Sequence, residues 1–375
     1  MLRSLYITLQ FLFLFTQIQA QELKKLWVHE EILKCASLTM DAMYKWDFER
    51  ADSLLIDYKE LMPNHPSLPL FHAMDMYWKS TPFDYYDDDK MSEFFGYLDD
   101  CIDKCEVIID KDKNDNEAVF FLLLARSLKA RAYNYSGSTW KAVSEAKQVY
   151  SLTRYSIKHI QEFDEFNFSA GVYNYYREFY PESHPIYKPF LSFFPSGNKE
   201  LGIEQLTTAM NYSIFTNAEA EKYLMWIYSH DNNLKATEIA YNIFDKYSNN
   251  EWYLFDALLV LSRFNLLNDS IAVSKINQLS NSNSDFYNCA GFLIDAIRLY
   301  QANEIENSFD KFKAVENEFP QLSTQQKYLE APLYAYLYSI YKIKRDPVNS
   351  KKYYKLALNT TYGEMIIDAI EQSHQ

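Results

Sequence analysis

The sequence predicts an all-α protein, folded as an α-solenoid of about seven or eight antiparallel helical hairpins. Three observations favour this fold class. Glycine is scarce, with 7 in 375 residues against a usual share of about 7%. Aromatic residues reach 17%, and helical apolar patterns recur along the chain. Because tight β-turns and phosphate-binding loops need glycine, the composition argues against sheet-rich and nucleotide-binding folds.

The first twenty residues have the pattern of a secretory signal. Arg3 supplies the positive start, residues 5–15 are mostly apolar, and the segment ends in Ile18-Gln19-Ala20, which suits cleavage after Ala20. The sequence therefore predicts an exported mature chain of residues 21–375, either periplasmic or secreted, that forms a single solenoid domain. An uncleaved anchor is the alternative, but the apolar stretch is shorter than the roughly 20 residues of a membrane span. No later segment approaches one.

Charge and cysteine content exclude several classes of partner and scaffold. The chain has 51 acidic and 37 basic residues, a net charge of −14. An acidic surface repels phosphate, so nucleic acid is not an expected partner, and docking on anionic lipid is disfavoured as well. Four cysteines in a chain long enough to bury its own core do not indicate a disulfide framework.

One local pattern recurs and defines the repeat. A small residue is followed by an apolar residue four positions later and another three beyond that, which places all three on one helix face. The small residues that start the copies are Ala51, Cys101, Ala142, Gly202, Ala236, Ala272, Ser308 and Ser350. From Gly202 to Ser308 the starts are 34, 36 and 36 residues apart. Another apolar-periodic helix precedes each later start, so the repeated unit is a pair of antiparallel helices.

The pattern resembles the tetratricopeptide repeat, a helix–turn–helix unit of about 34 residues. The family's second-helix positions match Ala51, Leu55 and Tyr58, and its helix-ending proline matches Pro63. Ser308, Phe312, Val315 and Pro320 match the same positions, and Ala296 matches the small residue of the first helix. The resemblance covers roughly residues 30–360, with a capping helix expected near 362–370. It implies a TPR-like superhelix that presents binding surfaces.

Cys101 and Cys105 occupy two of these close-packing positions. Their spacing would suit a pair of metal ligands, but no histidine or third thiol lies nearby in the sequence. Small-residue packing in the core is therefore the preferred interpretation, and no metal or cofactor is predicted.

Two insertions interrupt the repeats. The first, residues 79–90, holds four aspartates within Asp84–Asp89. These could bind calcium, although the glycine and distal glutamate of the calcium loop are missing. The preferred interpretation is a solvated acidic loop whose aspartates cap a helix beginning near Met91.

The second insertion, residues 179–198, combines four prolines with six large apolar residues. We expect it either to fold back over the solenoid and fill its groove, which we prefer, or to supply an interaction patch. An aromatic-rich helix, 168–180, precedes it. The partner-binding residues predicted in this region are Tyr173, Tyr176, Arg177, Tyr187 and Phe190.

A concave surface formed by the first helix of each hairpin is the other expected binding region. By helical phase, Met225, Tyr228, Ile297 and Tyr300 are predicted to lie there. A tyrosine-lined groove suits an extended peptide or a glycan, because tyrosine offers both an apolar ring and a hydroxyl. For each residue, packing between repeats is the competing interpretation.

No catalytic motif emerges. The seven histidines are scattered, and neither a nucleophile elbow nor a phosphate loop is present. The sequence thus predicts an exported non-catalytic scaffold that binds a protein or peptide of the cell envelope. A glycan-binding envelope protein on the same kind of scaffold is the alternative. The inference from repeat to binding is an analogy between folds.

Overall fold

A computed structural model describes residues 25–183 and 194–373, and these residues form helices without a strand. They build eight consecutive helical hairpins and a final helix. The first helices of the hairpins are α1 (Glu30–Tyr44), α3 (Ser67–Lys79), α5 (Asn116–Tyr135), α7 (Phe166–Ser183), α9 (Asn217–His230), α11 (Glu251–Arg263), α13 (Asp285–Gln301) and α15 (Lys327–Ile343). The second helices are α2 (Phe48–Leu61), α4 (Asp88–Lys111), α6 (Thr139–Lys158), α8 (Lys199–Tyr212), α10 (Lys235–Lys246), α12 (Ser270–Ser280), α14 (Ile305–Leu322) and α16 (Pro347–Leu358). The predicted α-solenoid is confirmed.

Every predicted repeat start falls in the second helix of a hairpin. Six of these small residues are buried, and Ala142 and Ser350 are half-buried. At the crossing of α13 and α14, Ser308 donates from its hydroxyl to the Ala296 carbonyl oxygen at 2.8 Å. Small residues therefore stand where the two helices of a hairpin approach most closely.

Helix ends agree with the sequence prediction within a few residues, with one exception. The final helix, α17 (Gly363–Ser373), packs on α15 as the expected cap. Pro63 follows α2, as predicted, but α14 continues through Pro320 to Leu322. The prediction that Pro320 ends its helix is wrong. Burial of Leu322 draws the last turn into the core, and the chain turns at Ser323, whose φ is 51°.

Among the described residues, a left-handed residue closes the turn in six of the hairpins. These residues are Trp46, Gly137, Asn232, Asn265, Asn303 and Arg345. In each case the next residue donates its N–H to the carbonyl five positions back, as in Asn233 N to Tyr228 O at 2.9 Å. This is the Schellman ending of a helix. The remaining two turns, after α3 and after α7, are the ones that carry the insertions.

The superhelix is wound tightly enough for its first hairpins to touch the sixth and seventh. Rings of Tyr44, Trp78 and Tyr253 pack together with centroids 5.3–6.3 Å apart. The Asn250 side chain donates to the Tyr44 carbonyl at 2.8 Å, and Trp46 meets Tyr287 at 5.6 Å. The main core cluster therefore runs from Leu26 to Ile370, and a second, smaller cluster lies between α7, α8 and α9.

The first insertion completes this closure. The Thr81 carbonyl accepts from Tyr287 OH at 2.9 Å, the Pro82 carbonyl from Gln325 at 3.0 Å, and Asp84 from the Thr324 hydroxyl at 2.9 Å. Asp87 accepts from Lys90 N at the start of α4, so helix capping is confirmed. The expectation of a solvated loop is wrong, because Asp84 and its neighbours connect the second hairpin to the seventh hairpin and to the turn that follows it.

The first described residues are held in place by a series of buried, hydrogen-bonded polar groups, called here the buried polar chain. Leu26 donates its N–H to Glu117 Oε1 at 2.8 Å, and His65 Nε2 lies 2.7 Å from the same oxygen. His65 Nδ1 is 2.6 Å from Ser67 Oγ, which also contacts Tyr58 OH at 2.5 Å. All five residues are buried, so this chain joins the N-terminal segment to the second and third hairpins.

The predicted secretory signal, residues 1–20, lies outside the described residues. Among the helices of the described ranges, none combines the length and the apolar character needed to cross a membrane.

Candidate functional site on the inner face

Side chains that are only partly buried follow one face of the first helices, between fully buried neighbours on either side. The side chains of Lys222, Glu219 and Asp256 are 17%, 20% and 13% exposed. On α9 such side chains recur at spacings of three or four, which marks a single helix face. We call this set the inner strip. Its members are Tyr77 of α3, Arg131 of α5, Glu219, Lys222, Tyr223, Trp226 and His230 of α9, and Trp252, Asp256, Leu259 and Arg263 of α11.

A lysine flanked by two carboxylates lies at the middle of the inner strip. Lys222 Nζ is 3.9 Å from Glu219 Oε2 and 3.8 Å from Asp256 Oδ2. Glu219 also accepts from Tyr253 OH at 3.1 Å. Burial raises the pKa of Asp256 to about 6, while Lys222 opposes that rise. Burial alone would lower the pKa of Lys222, but the two carboxylates outweigh it and raise that pKa. Lys222 is therefore a charged residue whose charge is already neutralised.

Arg131 and Arg263 differ from Lys222, because neither has a carboxylate within 4 Å in the part of the chain that the structure describes. The Arg131 guanidinium lies over the Tyr77 ring at 4.8 Å. It interacts electrostatically with Tyr85, Glu219 and Tyr223, so side chains of three separate segments converge on it.

Arg263 stands at the end of α11, near His230. Its Nε is buried and has no hydrogen-bond partner in the described ranges. Burial lowers the pKa of Arg263. Burial and the neighbouring Arg263 charge also lower the pKa of His230 to about 4. His230 is thus neutral near pH 7 and does not compete with Arg263 for an anion.

Aromatic rings surround these charges. Tyr176 meets Tyr223 with centroids 5.9 Å apart, Trp252 meets Tyr328 at 5.2 Å, and Tyr135 meets Tyr328 at 6.4 Å. Rigid rings on helices present a large contact area that needs little reordering when a ligand binds.

The residues predicted around the second insertion divide into three groups. Tyr173 donates to the Pro195 carbonyl at 2.7 Å and Arg177 to the Phe194 carbonyl at 3.0 Å. The described end of the insertion therefore folds back on α7. Tyr176 lies beside the inner strip. Tyr187 and Phe190 fall outside the described residues.

The residues that helical phase placed on a concave surface do not belong to the inner strip. Met225 and Ile297 are fully buried, and Tyr300 is buried with its hydroxyl 2.6 Å from Ser339 Oγ. Their burial agrees with the competing interpretation, packing between repeats. Tyr228 is half-buried, with Lys235 over its ring at 5.4 Å.

The inner strip was not identified from the sequence, although a signal for it exists. Asp256 is the one charged residue within the otherwise apolar stretch 252–261 of α11. Lys222 and Asp256 are also one repeat length, 34 residues, apart. Equivalent positions of adjacent parallel helices meet in a solenoid, and this spacing predicts their contact.

Two other arrangements in the described chain are weaker candidates for a functional site. Ser67, His65 and Glu117 are linked like a charge relay, but Ser67 is 0% exposed, so no substrate reaches its hydroxyl. A hollow of about 450 Å³ is lined by Lys45, Trp46 and Lys246. Both of its lysines already pair with acids, Asp41 and Glu221.

The cysteines and acidic groups of the described residues form no group of three or more that would hold a metal ion. Cys101 and Cys105 are buried, and all four thiols of the chain are free. Cys101 Sγ points to the Phe121 carbonyl at 3.9 Å, across the interface between α4 and α5.

No family model, curated protein or solved structure matches the chain.

Proposed function

We propose that the protein is an exported, non-catalytic scaffold of the cell envelope, periplasmic or secreted, that binds an extended polypeptide segment along its inner strip. The observation that carries this proposal is the set of partly exposed rings and charges on parallel helices α9 and α11. Such a surface is unusual in these helices, whose other faces are buried.

The chemistry of the strip suits a polypeptide. Trp226 offers a ring for ligand side chains, while Glu219 and Asp256 offer acceptors for peptide N–H groups. Parallel helices arranged side by side also form a surface that is longer than it is wide, as an extended chain requires. The resemblance to tetratricopeptide repeats agrees with this use but remains an analogy between folds.

A matched pair of tryptophan variants tests the proposal. The mature chain, residues 21–375, is screened against a displayed peptide library and an oligosaccharide panel, and affinities of selected ligands are measured by fluorescence anisotropy. Trp226→Ala removes a ring of the inner strip and is expected to weaken peptide binding by tenfold or more. Trp140→Ala removes a ring that is 87% exposed and lies outside the strip, so binding should not change.

Two results would overturn the proposal. Binding of oligosaccharides without any peptide would favour the glycan-binding alternative. Peptide binding that Trp226→Ala leaves unchanged would remove the inner strip as the site. Circular dichroism of each variant shows whether the helical fold is retained.

A further inference from the structure

The outer face of α6 is sparsely covered by the rest of the protein. Thr153 and Ser156 are the buried residues of this 20-residue helix. Trp140, in its first turn, is 87% exposed. The exposed Lys147 and Arg154 follow it at intervals of seven residues, which keeps all three on one helix face. Because tryptophan and arginine are enriched in protein interfaces, this face has the composition of a binding surface.

The positive charges of this face are unpaired within the chain. Neither Lys147 nor Arg154 has a carboxylate within 4 Å in the ranges that the structure describes. The one acidic residue of α6, Glu145, accepts from Arg126 of α5 at 2.9 Å. Arg126 also pairs with Glu106 of α4 at 2.5 Å, so α4 and α6 flank α5 side by side. In a chain with a net charge of −14, an exposed positive face favours an acidic partner.

The neighbouring helix α4 supplies the opposite charge. Its 24 residues include eight acidic and three basic ones. Asp103 and Asp110 are exposed on its outer face, and among the described residues Asp103 has no cation within 4 Å. Asp110 pairs with Lys113 at 2.9 Å, but these side chains are 80% and 71% exposed, so the pair is weak. An acidic helix face therefore lies next to a basic one on the outside of the solenoid.

Gly96 lies on the same face of α4, seven residues before Asp103. A Cβ atom on Gly96 would meet nothing within 4 Å, so packing within one molecule does not require a glycine there. Glycine inside a helix costs about 0.5–1 kcal/mol relative to alanine. An exposed glycine does allow a large ring to approach the helix backbone. A partner that places a ring on this spot accounts for the residue.

The two helix faces match in register. The residues of α4 spaced by seven are Gly96, Asp103 and Asp110, and those of α6 are Trp140, Lys147 and Arg154. The repeat starts Cys101 and Ala142 are 41 residues apart, so each α6 residue lies three residues, about 4.5 Å, beyond its α4 counterpart. Long side chains of a helix lean toward the preceding turn, which brings their ends back to the height of that counterpart.

We propose that the outer face of α4 and α6 binds the same face of a second copy of this chain. A two-fold axis parallel to the two helices, and between them, lays α4 of one protomer on α6 of its partner and preserves the heights along both helices. Each tryptophan then covers a glycine, and each cation meets an aspartate. Symmetry makes every one of these contacts twice.

The size of the face sets the strength of this dimer. The face is about 30 Å long and about two helix diameters wide, so the dimer buries about 1,200 Å² in total, at the lower end of specific interfaces. A weak dimer that salt dissociates is expected, because its charge pairs are exposed at the rim. The inner strip lies on the first helices and this face on the second helices, so the inference is independent of the proposed function.

Sedimentation velocity of the mature chain, residues 21–375, tests the dimer at protein concentrations of about 5–200 μM. The dimer fraction should rise with concentration, and the dissociation constant should rise tenfold or more between low salt and about 0.5 M NaCl. Trp140→Ala and Gly96→Gln should each weaken the dimer about tenfold. Neither position is packed within one molecule, and circular dichroism shows whether each variant keeps the helical fold.

A charge exchange assigns the contact to the two helices. Lys147→Glu combined with Arg154→Glu should abolish the dimer, and so should Asp103→Lys combined with Asp110→Lys. An equimolar mixture of these two double variants should form a heterodimer, because every charge pair is then restored with its sign reversed. The matched control is Lys351→Glu combined with Lys355→Glu, which alters two exposed lysines of α16 and should leave the dimer intact.

Four results would overturn the inference. The chain could stay monomeric at every concentration and salt, or it could form a dimer that neither double variant weakens. Loss of the dimer in both double variants without recovery in their mixture would contradict the pairing of α4 with α6. Binding of a monomeric chain to phosphatidylglycerol vesicles, lost in the Lys147→Glu and Arg154→Glu variant, would assign this face to a lipid surface instead.

Discussion

The last four hairpins of the solenoid are regular, and the first four are not. From α9 onwards every hairpin turn contains a left-handed residue, and Lys222 contacts Asp256 one repeat length away. In the first half, α4 reaches 24 residues and two turns are replaced by insertions. The regular half supplies the parallel helices of the inner strip. The irregular half supplies Tyr77 and Arg131, as well as the loop that closes the superhelix.

The two halves also differ in the residues on which their packing depends. In the regular half, Gly291 of α13 lies close to the backbone of α12, where a Cβ atom would be 2.4 Å from Ser280 N. The fourth hairpin depends on a similar close approach at Gly202, and the first three hairpins depend on one buried carboxylate, Glu117. Changes there should cost more free energy of unfolding than changes in the regular turns.

The largest effect is expected at the crossing of α7 and α8. A Cβ atom on Gly202 would lie 2.7 Å from Tyr175 N and 2.9 Å from the Gly171 carbonyl oxygen. Because both contacts are to backbone, the helices themselves must move apart. Gly202→Val should lower the free energy of unfolding by about 3 kcal/mol, measured by urea denaturation followed by circular dichroism.

Gly96 provides the matched control in α4. A Cβ there meets nothing within 4 Å, so Gly96→Ala should raise stability by about 0.5–1 kcal/mol through helix propensity alone. If Gly202→Val were as stable as the parent chain, the close approach of α7 and α8 would be contradicted.

Removal of Glu117 is expected to have a similar, slightly smaller effect. Glu117→Ala leaves the Leu26 N–H and His65 Nε2 buried without their shared acceptor. An unsatisfied buried group costs about 1–3 kcal/mol, so the free energy of unfolding should fall by about 2–3 kcal/mol. Glu60→Ala removes an exposed glutamate of α2 and should change stability by less than about 0.5 kcal/mol. Equal effects from the two substitutions would mean that the buried polar chain contributes nothing.

The repeat itself was predictable from the sequence because its determinants are local. A small residue with apolar residues four and seven positions later specifies one helix face, and this pattern located the second helix of all eight hairpins. The cap near 362–370 followed from the same periodicity. These features depend on neighbours within one or two helical turns.

The contacts that join the first hairpins to the sixth and seventh could not be predicted in the same way, and neither could the inner strip. Contacts such as Tyr287 with Thr81, and Asn250 with Tyr44, join residues 206 positions apart, and no local pattern specifies them. Met225 and Tyr300 were predicted by helical phase to line a concave surface, with packing between repeats as the alternative, and both are buried. Apolar periodicity alone does not tell which of two neighbouring faces packs between hairpins.

A smaller effect is expected in the turns of the regular half. Asn303 adopts φ 61° in the exposed turn between α13 and α14. Asparagine tolerates this conformation better than alanine does. Asn303→Ala should therefore lower stability by about 1 kcal/mol, while Asn303→Gly should leave it nearly unchanged. Urea denaturation of both variants checks this, and equal losses would indicate that the asparagine side chain matters more than the backbone.

The smallest effect, with the opposite sign, is expected at Arg345. This exposed residue takes φ 59° in the last hairpin turn, where Gly137 stands in the third hairpin. A long side chain with a Cβ is strained in the left-handed region, and glycine is not. The relief is partly offset because glycine gives the unfolded chain more freedom. Arg345→Gly should therefore raise the free energy of unfolding by about 0.5 kcal/mol. A loss of stability instead would mean that the arginine side chain stabilises the turn by contacts that outweigh its backbone strain.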